Sequence, residues 1–150
     1  MDHAHALWEL EQIKRLKSRY YRLQDQDRWD EWRELFTEDC EIADPLEPGV
    51  MLHGREAIAD RTAQVAGASK RAHRGTMPDL ELVDEHTAHG TWALECVAVL
   101  PSRSGPTSRF IYGYYTDEYR KGSDGHWRIH RMRYDNDLMV PAPEAPPSSP

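Results

Sequence analysis

Cysteine is scarce in this chain of 150 residues, which carries only Cys40 and Cys96, far apart and without CxxC spacing. There is no HExxH segment and no dense group of histidines and carboxylates, so the sequence gives no basis for a zinc site and no metal is expected. Long apolar runs are missing too. No stretch approaches the roughly 18 residues that a membrane span requires, and no charged-then-apolar leader is visible, so a reduced, cytoplasmic setting without membrane contact is expected. Basic residues are outnumbered, 19 Lys and Arg against 26 Asp and Glu, for a formal charge of -7. Nucleic-acid affinity rests on clustered Lys and Arg, so nucleic acid is not an expected partner.

What is present fits one domain, since a chain of this length can bury about 70% of the surface its unfolded form exposes. From Leu7 to Gln24, Leu10, Ile13, Leu16, Tyr20 and Leu23 fall on one side at helical spacing, largely opposite Lys14, Arg15, Ser18 and Arg22. Asp27 reads as the N-cap of a second helix, Arg28 to Phe36, which Trp29, Trp32, Leu35 and Phe36 would pack. A short strand, Cys40 to Ala43, a Pro and Gly loop over 44–49, and Val50 to His53 follow, before Gly54 turns into a third helix, Arg55 to Val65.

The remainder reads as strands, Arg71 to Val83, Ala88 to Leu100, Ser108 to Lys121 and His126 to about Asp135, divided by turn-like segments at 84–86, 102–106 and 123–125. Helices first and an antiparallel sheet afterwards is an α+β order. Pro141 to Pro150 holds five prolines and no aromatic residue, so a domain over 1–140 followed by a loose tail over 141–150 is expected.

Two residues invite a chemical reading. Asp25 lies at the C-terminal end of the first helix, where the helix dipole disfavours a carboxylate by up to about 1 kcal/mol. It is either a solvated turn residue, the partner of an arginine, or a group with a function. Of eight histidines, His3 and His5 lie at the start, His53 and His126 sit beside turn glycines and His86 and His89 belong to a hairpin connection, which leaves His73 and His130 well inside strands; a strand histidine is either a satisfied structural residue or a catalyst. Tyr112, Tyr114, Tyr115 and Tyr119 alternate along one strand, so part of the set faces inward and part faces solvent or a partner sheet.

Ile13, Arg19-Tyr20 and Asp25, then Trp29 to Phe36, Gly54 before a helix, His73-Arg74-Gly75-Thr76, Gly113 to Tyr119, and Asp124-Gly-His-Trp-Arg-Ile129 follow one another in an order that resembles the SnoaL-like branch of the nuclear transport factor 2-like superfamily. The similarity spans about residues 7 to 135 and is greatest to lyases: hexachlorocyclohexane dehydrochlorinase, scytalone dehydratase and bile-acid 7α-dehydratase. It implies a cone-shaped, curved sheet wrapped around three helices, with an apolar cavity at the wide end. It also implies an Asp and His pair, Asp25 and His73, assisted by Tyr20 on the first helix. Where the dehydrochlorinase has a lysine and an arginine, this chain has Tyr20 and Met132, and a further carboxylate of the bile-acid enzyme falls near Cys96. Trp92, Cys96, Tyr115, Arg131 and Met132 are the residues expected to meet a substrate.

The resemblance implies a cofactor-independent lyase. His73 would act as base, Asp25 would fix its tautomer, and Tyr20 would donate to a carbonyl or departing oxygen, with an apolar, hydroxylated cyclic small molecule as substrate. Isomerase or cyclase chemistry needs the same pair. A non-catalytic ligand-binding protein or a small dioxygenase subunit of the same fold is the alternative from another class. Pairing through the outer sheet face predicts a homo-oligomer, dimer or trimer.

Overall fold

The computed structural model of the chain describes residues 2–44, 47, 49–101 and 105–141. The expected tail beyond Pro141 and parts of the loops at 44–49 and 102–106 lie outside the described residues. Three helices, α1 (His3–Asp25), α2 (Trp29–Arg33) and α3 (Arg55–Ala66), accompany β1 (Phe36–Ala43), β2 (Met51–His53), β3 (Lys70–Leu82), β4 (Thr87–Leu100), β5 (Thr107–Lys121) and β6 (Trp127–Pro141). The strands form one curved, unclosed sheet in the order β2-β1-β6-β5-β4-β3, the α+β cone that the sequence led us to expect. The sheet is mixed, because β1 runs parallel to β6 while every other pairing is antiparallel. No helix among the described residues is long and apolar enough to cross a membrane.

The ends of α1 differ from the sequence expectation for local reasons. Asp2 caps the helix, its side chain accepting from the backbone of His5 at 2.8 Å, so the first residues are helical. Asp27 is not the N-cap of α2. It has φ +56° and follows the C-cap of α1; Arg28 N donates to Leu23 O at 3.0 Å and Asp27 N to Gln24 O at 3.3 Å. That is a Schellman closure with Asp in the left-handed position usually taken by Gly. The helix α2 is shorter than expected, since the chain turns at Glu34 and Leu35 and Phe36 starts β1; Ile129 N donates to Leu35 O at 2.9 Å and Phe36 registers with Ile129.

The core lies between the helices and the concave face of the sheet. Ile13, Leu16, Tyr20, Trp32, Phe36, Ile58, Tyr119 and Ile129 are all at most 2% exposed. The edge strand β3 bends at Met77, where φ is +48° and the register with β4 shifts between Thr76 and Asp79; Pro78 sits at this bulge, where no ladder donor is needed.

Candidate active site

The C-terminal turn of α1 is fastened to β3. Arg71 donates to the backbone of Gln24 at 2.5 Å and pairs with Asp27, which fixes where the last helical residue, Asp25, meets the strand. There the Asp25 carboxylate accepts the backbone N–H of His73 at 2.9 Å through Oδ2, and its Oδ1 lies 2.6 Å from His73 Nδ1. One carboxylate thus holds both the main chain and the ring of the same histidine. This is the local compensation for a negative charge at the negative end of a helix. The arrangement puts the proton on Nδ1 and leaves Nε2 as the basic nitrogen. His73 is buried, Asp25 is partly open to solvent, and the Tyr21 ring stacks on the imidazole with centroids 6.2 Å apart and planes 18° apart.

On its inner side His73 lines a cavity of about 220 Å³. Its walls are mostly apolar, with Leu94, Ala98 and Ile111 from the sheet and Val65 from α3, together with Cys96, Tyr115 and Tyr134. A smaller space of about 70 Å³ shares Tyr115 and Tyr134 and reaches Tyr20 and Met132. Tyr115 and Tyr134 are the phenols that face both, and of the two Tyr115 is the more deeply buried. Tyr20 is 2% exposed and its ring meets that of Tyr115 edge-on with centroids 5.9 Å apart; burial raises the pKa of both hydroxyls above the ordinary phenol value. Burial also pushes the Cys96 thiol up to about 11, so it presents a neutral S–H to the cavity.

The residues named from sequence therefore separate. Asp25, His73, Cys96 and Tyr115 come together at or near the cavity, and Tyr20 and Met132 lie behind Tyr115. Trp92 lines neither space, and its Nε1 donates to the Tyr119 hydroxyl at 2.9 Å. Arg131 is a correction as well. Strand alternation turns Met132 inward and Arg131 outward, where its side chain is 55% exposed and binds Glu41 at 2.7 Å. Arg133 shares that outer face and pairs with Asp135. His130 is buried beside Thr37 Oγ1, 2.9 Å away, and burial lowers its basicity, as does Arg120.

Sequence reasoning missed a buried polar cluster beneath the cavity. Lys17 Nζ lies 2.7 Å from Asp117 Oδ2 with both side chains fully buried. Tyr119 donates to the same oxygen at 2.5 Å. The ammonium stands 4.0 Å from the Tyr115 ring centroid and 4.6 Å from that of Tyr20, a pair of cation–π contacts that hold the aromatic floor. Desolvation depresses the Lys17 pKa against the attraction of Asp117. The signal was available: Glu9, Ile13, Lys17 and Tyr21 repeat every four residues and all are buried. Among the described residues no group of three or more His, Cys, Asp or Glu stands close enough to share a metal ion.

Known proteins share this architecture. A scytalone dehydratase-like protein from Novosphingobium aromaticivorans superposes with a TM-score of 0.80 at 22% identity, over 93% of this chain and 91% of its own. A type 2 hexachlorocyclohexane dehydrochlorinase gives 0.82 at 23%, over 99% and 100%. A protein of unknown function from Mycobacterium tuberculosis gives 0.73 at 28%, over 87% and 77%. At these identities the first two likenesses establish the fold. The sequence itself matches the SnoaL-like domain from residue 5 to residue 133, and the chain belongs to that family.

Proposed function

We propose that the protein is a cofactor-independent lyase that removes water from a small, hydroxylated cyclic compound, with His73 as base and Asp25 as its orienting partner. The observation that carries this reading is the 2.6 Å contact between Asp25 Oδ1 and His73 Nδ1 on the wall of an apolar cavity. His73 Nε2 takes a proton from a ring carbon, the electron pair of that C–H bond forms the double bond, and the C–O bond breaks. The abstracted proton leaves with the hydroxide as water, so the pair ends as it began. Asp25 stabilises the imidazolium between these events. Tyr20 keeps its proton because of burial and packs edge-on against Tyr115, whose own O–H is directed at a substrate oxygen on which negative charge develops. Tyr115, more than Tyr20, is thus the phenol that meets the substrate, and Cys96 and Met132 shape the walls.

Folds similar to this one among dehydratase-like and dehydrochlorinase proteins support elimination. Outside the cone, the exposed Val97, Tyr112, Tyr114, Leu138 and Met139 support the further reading that copies of the chain associate through the sheet.

The test is a screen of one- and two-ring β-hydroxy ketones, followed by the ultraviolet absorbance of the conjugated product and by its mass. His73→Ala should lower kcat by roughly 10²–10⁴-fold, the usual contribution of a positioned base. A product of unchanged mass would assign the pair to isomerisation. Turnover unaffected by His73→Ala would remove the base assignment.

A further inference from the structure

His73 belongs to two spaces. Besides the apolar cavity it lines an outer, more polar cleft of about 440 Å³ between the last turns of α1 and the start of β3, and it is the side chain the two linings have in common. Tyr21, Arg22 and Arg74 line that cleft as well. Resting on the lyase reading, we propose that these three residues form an oxyanion subsite beside the Asp25 and His73 pair, and that the substrate is a ring compound bearing a carboxylate.

Three observations lead there. The Tyr21 hydroxyl is buried, in a residue only 7% exposed, and has no hydrogen-bond partner among the described residues. A buried donor without an acceptor is costly, and a ligand oxygen would relieve it. The position is held open by Gly75, where a Cβ would fall 2.1 Å from the Tyr21 ring and 2.5 Å from its hydroxyl oxygen. Burial raises the pKa of this phenol far above its ordinary value, so it stays a donor at any working pH.

Two guanidinium groups face one carboxylate, that of Asp25, in this cleft. Arg74 donates through Nη1 to the backbone of His73 at 2.6 Å and lies 3.9 Å from Asp25 Oδ2, but its side chain is 68% exposed and its other donors remain for a ligand. Arg22 is exposed in the last turn of α1 and makes no hydrogen bond or ion pair with a described residue. The carboxylate lining the cleft, Asp25, is engaged by His73. In a chain of net charge -7 this is a local excess of positive charge next to the proposed base. A substrate with its ring in the apolar cavity and its carboxylate in the cleft would lie across the imidazole, which fixes which carbon presents its hydrogen to Nε2.

Binding tests this without turnover. Naphthalene-2-carboxylate and the neutral naphthalene-2-carboxamide would be titrated calorimetrically into wild type, Arg22→Gln/Arg74→Gln and Tyr21→Phe. Wild type should favour the carboxylate by roughly tenfold, the size of one charge-assisted hydrogen bond, and the preference should shrink as salt is added. The double variant should bind both probes equally while keeping the wild-type affinity for the carboxamide, and Tyr21→Phe should lose part of the preference. Equal binding by wild type, a preference that survives in the double variant, or binding of neither probe would overturn the proposal. The two readings fail separately: a carboxylate preference with no elimination from any compound would leave the subsite and remove the lyase, whereas elimination from neutral and acidic substrates alike would do the reverse.

Discussion

Replacing Asp117 with Asn would test the buried cluster under the cavity most directly. The change keeps the shape of the side chain and an acceptor for Tyr119, and it takes the counter-charge away from an ammonium with no exposure to solvent. Breaking a buried pair by removing one partner costs about 3–5 kcal/mol. In a domain of this size each kcal/mol lowers Tm by about 2–4 °C, so a fall on the order of 10 °C is expected. The loss should depend on pH with a definite sign. Burial already holds the Lys17 pKa below its unfolded value, so between the two values the unfolded state binds more protons and stability rises with pH. Without Asp117 the folded-state pKa drops further and that window widens. The deficit of Asp117→Asn relative to wild type should therefore narrow between about pH 7 and about pH 9.5. Urea denaturation at both values measures it, and Lys17→Met/Asp117→Asn should recover most of the loss by removing the orphaned charge. A deficit under about 1 kcal/mol, or one that does not change with pH, would refute the view that Lys17 is held as a buried cation.

Gly75→Ala places a methyl group 2.1 Å from the Tyr21 ring, so the ring must leave its stack on His73; a loss of about 1–3 kcal/mol is expected by thermal denaturation, with a changed His73 ring signal by NMR. Asp25→Asn leaves one acceptor oxygen for the two donors of His73, its backbone N–H and its Nδ1–H, and puts an NH2 donor where the other oxygen stood, so nitrogen-15 shifts of His73 should move from a single tautomer towards a mixture without any substrate present. Glu9 is buried, which would raise its pKa, but the contacts with Lys121 Nζ at 2.6 Å and Trp127 Nε1 at 2.5 Å outweigh that and leave it lowered. A lowered carboxylate adds stability above its unfolded pKa that is lost as pH falls through the folded one. Glu9→Gln should accordingly destabilise the protein near neutrality, with the difference from wild type closing below about pH 4 in acid denaturation.

The order of elements and the inward faces of the long strands were legible because apolar spacing reports them directly: Ile13, Leu16, Tyr20 and Leu23 on α1 and the alternation of β4 and β5 are all in the buried set. What spacing does not report is a polar residue that is buried with a distant partner. Glu9 and Lys17 sit on the same helical face but depend on Lys121, Trp127 and Asp117, more than 90 residues away. The start of β1 was hidden for a similar reason. Leu35 and Phe36 continue a helical pattern locally, and only the parallel pairing with Ile129 makes a turn of Leu35 and a strand start of Phe36. Asp27 was misplaced because a left-handed closing residue and an N-cap draw on the same amino acids. Arg131 was misplaced because its outward turn depends on the register of β6 against β5, which shifts between Ile129 and Arg131.

The division between Tyr20 and Tyr21 follows from the same geometry and bears on what the cavity can select. Consecutive helical residues point about 100° apart, so one phenol is directed into the core, where it supports Tyr115, and the other lies against β3, over His73 and Gly75. Lys17, one turn earlier, stands 4.6 and 5.5 Å from the two rings and 4.0 Å from Tyr115. A single buried cation thus touches every phenol assigned a role on either side of the imidazole, and Asp117 fixes that cation in turn. A change of residue at 17 or 117 would accordingly reach both the inner cavity and the outer cleft, whereas changes at 22 or 74 would reach only the cleft. That difference separates residues that hold the site from those that choose what enters it.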